Sequence, residues 1–395
     1  MTRFDEIKAQ QDKYVMNTYS RFDVAIVSGH GATALDADGK KYIDFGSGIG
    51  VNVLGYADPG WCAAVSEQAA KLTHISNLYY SPVQAKLAQT LCMASGFAKV
   101  FFCNSGAEAN EGIIKLARKY SFDKYGSGRN TIVTLSGSFH GRTVTTLSAT
   151  GQDVFHNYFF PFTEGFKYAE ANDTDSMADA LTDDVCAVLL EGIQGEGGVL
   201  PLEPEFVAKT AELAKEKDVL LLFDEVQTGI GRTGKLFSFE HFGVRPDAVS
   251  CAKALAGGLP MGAVLCSEKL GEVLGPGTHA TTFGGTPLVC AAAGEVIGRV
   301  TAPGFLEKVA VKGEYIRQRL VKMKGVGNVR GLGMMIGFDP RGAKAKDIAV
   351  KAAENGLLVL TAKSAVRLLP PLVITRGETD EGLEILEKTI YQALS

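Results

Sequence analysis

Residues 220–236 read "LLLFDEVQTGIGRTGKL". The apolar run that opens this stretch is a buried strand, and it ends on two carboxylates, Asp224 and Glu225. The loop that follows fits GxGxxG at Gly229, Gly231 and Gly234, and Gly229 with Gly234-Lys235 fits most of GxxxxGK[ST]. Neither nucleotide motif survives closer reading. A P-loop needs a Ser or Thr hydroxyl after the lysine, and Leu236 has none. A dinucleotide loop opens a helix, whereas "KLFSFEHFGVRPD" is short, aromatic and soon broken by Gly243 and Pro246. With 46 glycines in the chain, chance matches to such patterns are expected. The loop reads as a glycine-rich surface turn, and interest moves to Asp224.

The same texture continues on both sides. Apolar runs at 99–106, 130–138, 185–192, 248–253 and 261–268 alternate with helical patterns such as "AEANEGIIKLARKYSFDKYG" and "EPEFVAKTAELAKEKD". Near-continuous apolar strands alternating with helices predict an α/β fold with a mostly parallel sheet flanked by helices. Such sheets carry their chemistry beyond the carboxyl ends of the strands. After residue 286 long helical patterns bracket the short strands "VRGLGMMIGF" and "AVRLLPPLVIT", which indicates a smaller α+β unit. The division expected is a large domain over 55–286, with 1–54 and 287–395 forming the small domain.

Composition excludes several classes. A net charge of −4 argues against a general nucleic-acid binder. No apolar run approaches the ~18 residues of a membrane span, and the start "MTRFDEIKAQQDKY" lacks the apolar segment of a signal peptide. Seven scattered cysteines suit reduced thiols in a cytoplasmic protein. The histidines show no ligand spacing, so no metal site is expected.

Four strand ends carry groups that could act together. "NSGAEAN" (104–110) opens a helix where Ser105, Gly106 and Ala107 offer a hydroxyl and N–H groups to one phosphate; Ser105 as a simple helix cap is the alternative. "GSFHGRT" (137–143) brings Phe139, able to cover a flat ring or to pack in the core, and Arg142, able to clamp a carboxylate. Asp224 ends the most apolar strand, where a carboxylate needs a positive partner. Lys253 ends "AVSCAK" and is a candidate imine-forming amine, or else a lysine that snorkels or pairs with Asp224. Phosphate cradle, ring-facing aromatic, buried aspartate and buried lysine together point to pyridoxal 5′-phosphate.

On these motifs the chain resembles the class III aminotransferases of pyridoxal-phosphate fold type I, their acetylornithine branch in particular. The resemblance runs nearly the whole length, through "LDADGKKYIDFGSGIGVNVLG", "NSGAEANEGIIKLARKY", "SFHGRT", "EGIQGEGGV", "AKALAGGLPMGA", "TTFGGTPL" and "VRLLPPLVIT". It implies a seven-stranded, mostly parallel large-domain sheet and a homodimer with shared active sites. It further implies that Gln227 bonds the cofactor's phenolic oxygen and that Val226 packs on the ring opposite Phe139. Thr282 would reach the phosphate from the other subunit, with Thr281 near the substrate. Arg367 would bind the α-carboxylate of glutamate or 2-oxoglutarate, and Glu196 would hold Arg367 aside in the other half-reaction. Arg142 would hold the acetylornithine carboxylate. The chain departs from the family's usual spelling at "SGHG" (28–31), "GYADP" (55–59) and Thr286. Ile49 stands where ornithine-specific members carry tyrosine. The alternative within the family is a succinylornithine, ornithine or 4-aminobutyrate enzyme. A Rossmann oxidoreductase would need the missing helix after Gly234, and a non-catalytic binding module would need neither Lys253 nor Asp224.

Overall fold

The structure, a computed structural model, describes residues 2–394; positions 1 and 395, the outermost of the small-domain assignment, lie outside the described residues. Near the N-terminus β1 (Ile26–His30), β2 (Thr33–Asp36) and β3 (Lys41–Asp44) form an antiparallel meander. The central sheet is built from β4 (Lys99–Cys103), β5 (Thr131–Leu135), β6 (Phe166–Ala169) and β7 (Val185–Leu190). After β7 a two-residue ladder, β8 (Ile193–Gln194) with β9 (Leu200–Pro201), closes a small loop. The sheet resumes with β10 (Leu220–Asp224), β11 (Ala248–Cys251) and β12 (Gly262–Cys266).

These seven strands lie in the order β4-β12-β11-β10-β7-β5-β6. Every residue of β5, β7, β10, β11 and β12 is buried, which explains why they read as unbroken apolar runs: helices cover both faces. Only β12 runs against its neighbours β11 and β4. The connection from Ala252 to Met261 is too short for the crossover a parallel partner needs. The strand "FKYA" (β6) was not among the runs read from the sequence. It is a four-residue edge strand paired only with β5, and no apolar run announces it.

Beyond the central sheet, β13 (Val326–Leu332), β14 (Met335–Pro340), β15 (Leu357–Leu358), β16 (Leu360–Ala362) and β17 (Ala365–Leu368) follow. "VRGLGMMIGF", read as one strand, is a hairpin: Gly333 at φ 53° turns the chain between β13 and β14. Four of these strands make a sheet in the order β13-β14-β17-β16, while β15 pairs in parallel with β3. Segments from the first and last parts of the chain therefore share one sheet. No single helix among the described residues is long and apolar enough to cross a membrane.

Candidate active site

The carboxyl ends of β10 and β11 bring Asp224 and Lys253 to one region of the fold. Asp224 is 4% exposed and has the polar partners its burial requires. Its Oδ2 accepts from His140 Nδ1 at 2.8 Å and from Asn110 Nδ2 at 2.7 Å, and its Oδ1 accepts from the Val226 N–H at 3.0 Å. Asn110 is itself fixed by Ser250, whose hydroxyl donates to Asn110 Oδ1 at 2.6 Å. Burial works against a charged His140, but the hydrogen bond and charge of Asp224 reverse this and raise the imidazole above its ordinary value. The side chain that meets Asp224 is therefore the His140 ring rather than Lys253.

Lys253 opens a 3-10 turn directly after β11, with φ at 40°. That left-handed conformation is strained for a lysine. Enclosure by protein lowers its amine below the usual lysine range, although Glu196 and Asp224 pull the other way. A depressed ammonium yields more free amine near neutral pH.

Ser105 caps the helix Gly106–Tyr125, its Oγ accepting from the Glu108 N–H at 3.1 Å. Capping therefore occurs, and it leaves the cradle free. Among the described residues nothing accepts from the N–H groups of Gly106 or Ala107. A Cβ on Gly106 would meet Val226 at 2.6 Å, so only glycine lets this helix end approach the turn after Asp224. Gly262, first residue of β12, has the same function on the other side: a Cβ there would stand 2.3 Å from the Ser105 carbonyl.

A second charged cluster lies beside Lys253. Arg367 on β17 is 3% exposed and forks onto Glu196, Nη1 to Oε1 at 2.5 Å and Nη2 to Oε2 at 3.2 Å. Gln227 bridges the pair, accepting from Arg367 Nη1 at 3.0 Å and donating to Glu196 Oε1 at 3.2 Å. Burial alone would raise the Glu196 carboxyl; the Arg367 charge and hydrogen bonds hold it below the usual carboxylate range. Arg367 Nε has no partner. Arg142 is exposed and stacks over Phe155 at 3.9 Å and Phe139 at 5.3 Å, which holds its guanidinium over the aromatic pair. Phe139 is half-buried, edge-on to Phe155. Thr281 accepts at Oγ1 from Asn104 Nδ2 at 3.0 Å, next to the cradle of its own chain, and Thr282 is exposed.

One expectation is corrected. The glycine turn after Asp224 is not at the surface: from Thr228 to Leu236 only Lys235 is exposed, and Arg232 is completely buried. The turn is glycine-rich because neighbours crowd it. A Cβ on Gly231 (φ 88°) would meet Val300 at 2.9 Å, and one on Gly234 (φ 85°) would meet Ala310 at 3.0 Å. Sequence reading also passed over His140, Asn110 and Glu191. Glu191 accepts the N–H groups of Phe139 at 2.8 Å and Gly195 at 3.3 Å, joining the two loops that carry Phe139 and Glu196. Burial pushes its carboxyl up to about 7. His140 had a visible signal, since it sits between Phe139 and Arg142 at a strand end.

A cavity of about 950 Å³ lies elsewhere, between the N-terminal arm and residues that include Asp44, Ile49 and Tyr56. It touches none of Ser105, Asp224 or Lys253, so the chemistry is located by the polar groups.

A crowded helix N-terminus with free N–H groups, a strained, partly buried lysine and a buried, hydrogen-bonded aspartate fit pyridoxal phosphate. Together with the seven-stranded sheet they define a pyridoxal-phosphate-dependent transferase of fold type I. Residues 14–390 match the family Aminotransferase class-III, and the chain belongs to that family. It is 48% identical over 391 residues to the acetylornithine aminotransferase of Haemophilus ducreyi, covering 98% of this chain and 99% of that one. It is 42% identical to the succinylornithine transaminase of Yersinia pseudotuberculosis, covering 96% and 95%. Among solved structures, the ornithine aminotransferase of Toxoplasma gondii, with PLP at partial occupancy, superposes with a TM-score of 0.95 at 31% identity, covering 99% and 94%. The protein is an aminotransferase, and its cofactor is pyridoxal 5′-phosphate.

Proposed function

We propose that this aminotransferase moves the δ-amino group of N2-acetyl-L-ornithine to 2-oxoglutarate, giving N-acetyl-L-glutamate 5-semialdehyde and L-glutamate. The observation that carries the reading is the Arg367–Glu196 clasp beside Lys253, with Arg142 held separately on Phe155. Two substrates that share one site but differ at one end need such a device. Glutamate presents an α-carboxylate next to its reacting carbon; the δ-carbon of acetylornithine presents none. In the first half Glu196 neutralises Arg367, and in the second the incoming carboxylate takes its place. Arg142 receives the far carboxylate in both halves. The similarity to the Haemophilus ducreyi protein supports the same substrate.

Pyridoxal phosphate, when bound, supplies an aldehyde that condenses with amines and a ring that accepts electrons from the reacting carbon. In this reading the N–H groups of Gly106 and Ala107 and the Ser105 hydroxyl hold its phosphate. Phe139 and Val226 would flank its ring, Gln227 would meet its phenolic oxygen, and Asp224 would keep its ring nitrogen protonated. Lys253 anchors it between turnovers. The Lys253 Nζ, when free, would serve as the base that holds and moves the proton of the amine-bearing carbon. The His140 ring and the amide of Asn110 orient the Asp224 carboxylate.

The site is completed by a second copy of the chain, whose Thr282 reaches the phosphate while Thr281 stands near the substrate. Exposed apolar side chains on the N-terminal arm, Tyr14, Met16 and Tyr19 at 76%, 84% and 71%, support a homodimer. The domain division follows the same reading: 55–286 binds the cofactor, and 1–54 with 287–395 forms the small domain, supported by the β3–β15 pairing. Seven free cysteines suit a cytoplasmic location. A succinylated substrate is the second reading, favoured by the Yersinia relative. Steady-state specificity constants for acetylornithine, succinylornithine, ornithine and 4-aminobutyrate test the proposal. A preference for any of the last three overturns it.

A further inference from the structure

We infer that Arg232, in the glycine turn after Asp224, is a positioning residue that fixes where Arg367 stands in the site. The turn leaves β10 through Gln227 and packs into the small domain. There its backbone and its one buried cation grip the strand pair that carries Arg367. The Arg232 carbonyl accepts from the Met334 N–H at 2.9 Å. Its Nη1 donates to the Met334 carbonyl at 3.2 Å and to the Pro370 carbonyl at 2.6 Å. Met334 immediately precedes β14, and Pro370 lies two residues beyond the end of β17. These strands pair Ile336 with Leu368 and Gly337 with Arg367. One guanidinium thus pins the start of β14 and the exit of β17 to the turn that begins at Asp224 and Gln227.

The arrangement is crowded enough to transmit position. A Cβ on Gly333 would stand 2.3 Å from the Thr233 carbonyl carbon, so the β13–β14 hairpin rests directly on the turn. The Leu369 carbonyl is held by Ser47 at 2.5 Å, which fixes the same exit from the N-terminal side. A residue needed only for packing could be apolar here. A completely buried arginine, with Nε and Nη2 lacking hydrogen-bond partners and compensated by two carbonyl contacts and the charge of the buried Asp44 carboxylate, is a costlier choice than an apolar side chain. Its placement is explained if the register of β17 against Gln227 and Glu196 must be held within a hydrogen-bond length.

The inference rests on the reading that Arg367 receives a substrate carboxylate, and the test separates the two. Glutarate, a dicarboxylate that cannot react, is titrated calorimetrically into the loaded enzyme as wild type, Arg232→Gln, Arg232→Lys and Arg367→Ala. For Arg232→Gln we expect glutarate binding to weaken about 10- to 100-fold and the KM for 2-oxoglutarate to rise in parallel. Its kcat/KM for the amine donor half should stay within about threefold. Arg232→Lys should fall between wild type and Gln. If Arg367→Ala weakens glutarate but folded Arg232 variants do not, the inference fails alone; if Arg367→Ala has no effect, the carboxylate reading fails. Should neither Arg232 variant fold, hydrogen exchange on the wild type decides. Residues 334–336, 366–370 and 228–236 must then open as one unit, and independent opening of 366–370 overturns the proposal.

Discussion

Replacing Arg367 by alanine separates recognition from chemistry. The guanidinium makes a forked contact to Glu196 at 2.5 and 3.2 Å and a third bond to Gln227 at 3.0 Å. If the α-carboxylate of 2-oxoglutarate takes over the fork, its loss removes two charge-assisted hydrogen bonds in a desolvated place. After the cost of removing both charges from water, that is about 2–4 kcal/mol, or roughly 30- to 1,000-fold in kcat/KM. The half-reaction that consumes acetylornithine loses much less, because there Arg367 is only neutralised. Single-turnover traces of the cofactor's visible absorbance report each half directly. Equal losses in both halves would refute the reasoning, and a selective loss in the acetylornithine half would show that Arg142 and Arg367 have exchanged roles. Arg367→Lys should restore part of the rate, since an ammonium cannot reproduce the planar fork.

The same substitution has a stability signature. Breaking a fully buried pair costs about 3–5 kcal/mol. The Glu196 side chain is 29% exposed, so solvent screening reduces this to about 1–3 kcal/mol. In the wild type the Glu196 carboxyl lies below its ordinary value, so its contribution is present above the unfolded pKa of about 4.3 and fades as pH falls through the lower folded value. In Arg367→Ala burial remains without the cation, and the shift reverses direction. Thermal melts from pH 3 to 7 should therefore show the variant losing most, relative to wild type, at the upper end of that range.

Lys253→Ala should abolish steady-state turnover while the protein still folds, and turnover within tenfold of wild type would make it the wrong lysine. Asp224→Asn keeps the shape but removes the carboxylate charge beside His140; cofactor retention on gel filtration and kcat should both fall, by up to about 3–5 kcal/mol. Unchanged retention together with unchanged kcat would remove Asp224 from the site. Glu225 is fully buried, and burial raises its carboxyl to about 7. The unfolded chain releases that proton at lower pH, so stability from this group falls as pH rises from about 4.3 to 7. Glu191 contributes in the same window, so denaturant titrations should show this slope in wild type and a shallower one in Glu225→Gln; an unchanged slope refutes the assignment.

The parts of the site visible in the sequence are those that sit at strand ends. In a parallel sheet the chain alternates apolar strand and helix, so Asp224, Lys253 and the Ser105 loop announce themselves by ending apolar runs. Arg367 and Glu196 gave no such signal, since β17 belongs to a different sheet and Glu196 sits in a loop closed by a two-residue ladder. Their roles were expected from resemblance alone. The edge strand β6 escaped because a four-residue segment with one paired edge needs no apolar run.

What composition and spacing did not disclose is the layer that holds the site residues in place. Asn110 meets Asp224 across 114 positions of sequence, Ser250 meets Asn110 across 140, and Arg232 meets Pro370 across 138. Each is a polar residue in an otherwise apolar environment, which a sequence reader discounts as turn or surface. The glycine turn shows the consequence. Its glycines and arginine suggested solvent, yet three of those glycines are buried by close neighbours and the arginine is among the most enclosed side chains of the protein. The physical criterion is that a buried polar group must find its partner, and the partner's place is fixed only by the fold. Asp224 alone posed that requirement legibly, because its strand left it nowhere else to go. His140 answered it from a loop 84 residues away, the one element of the supporting layer that a strand-end reading had already brought to the same edge of the sheet.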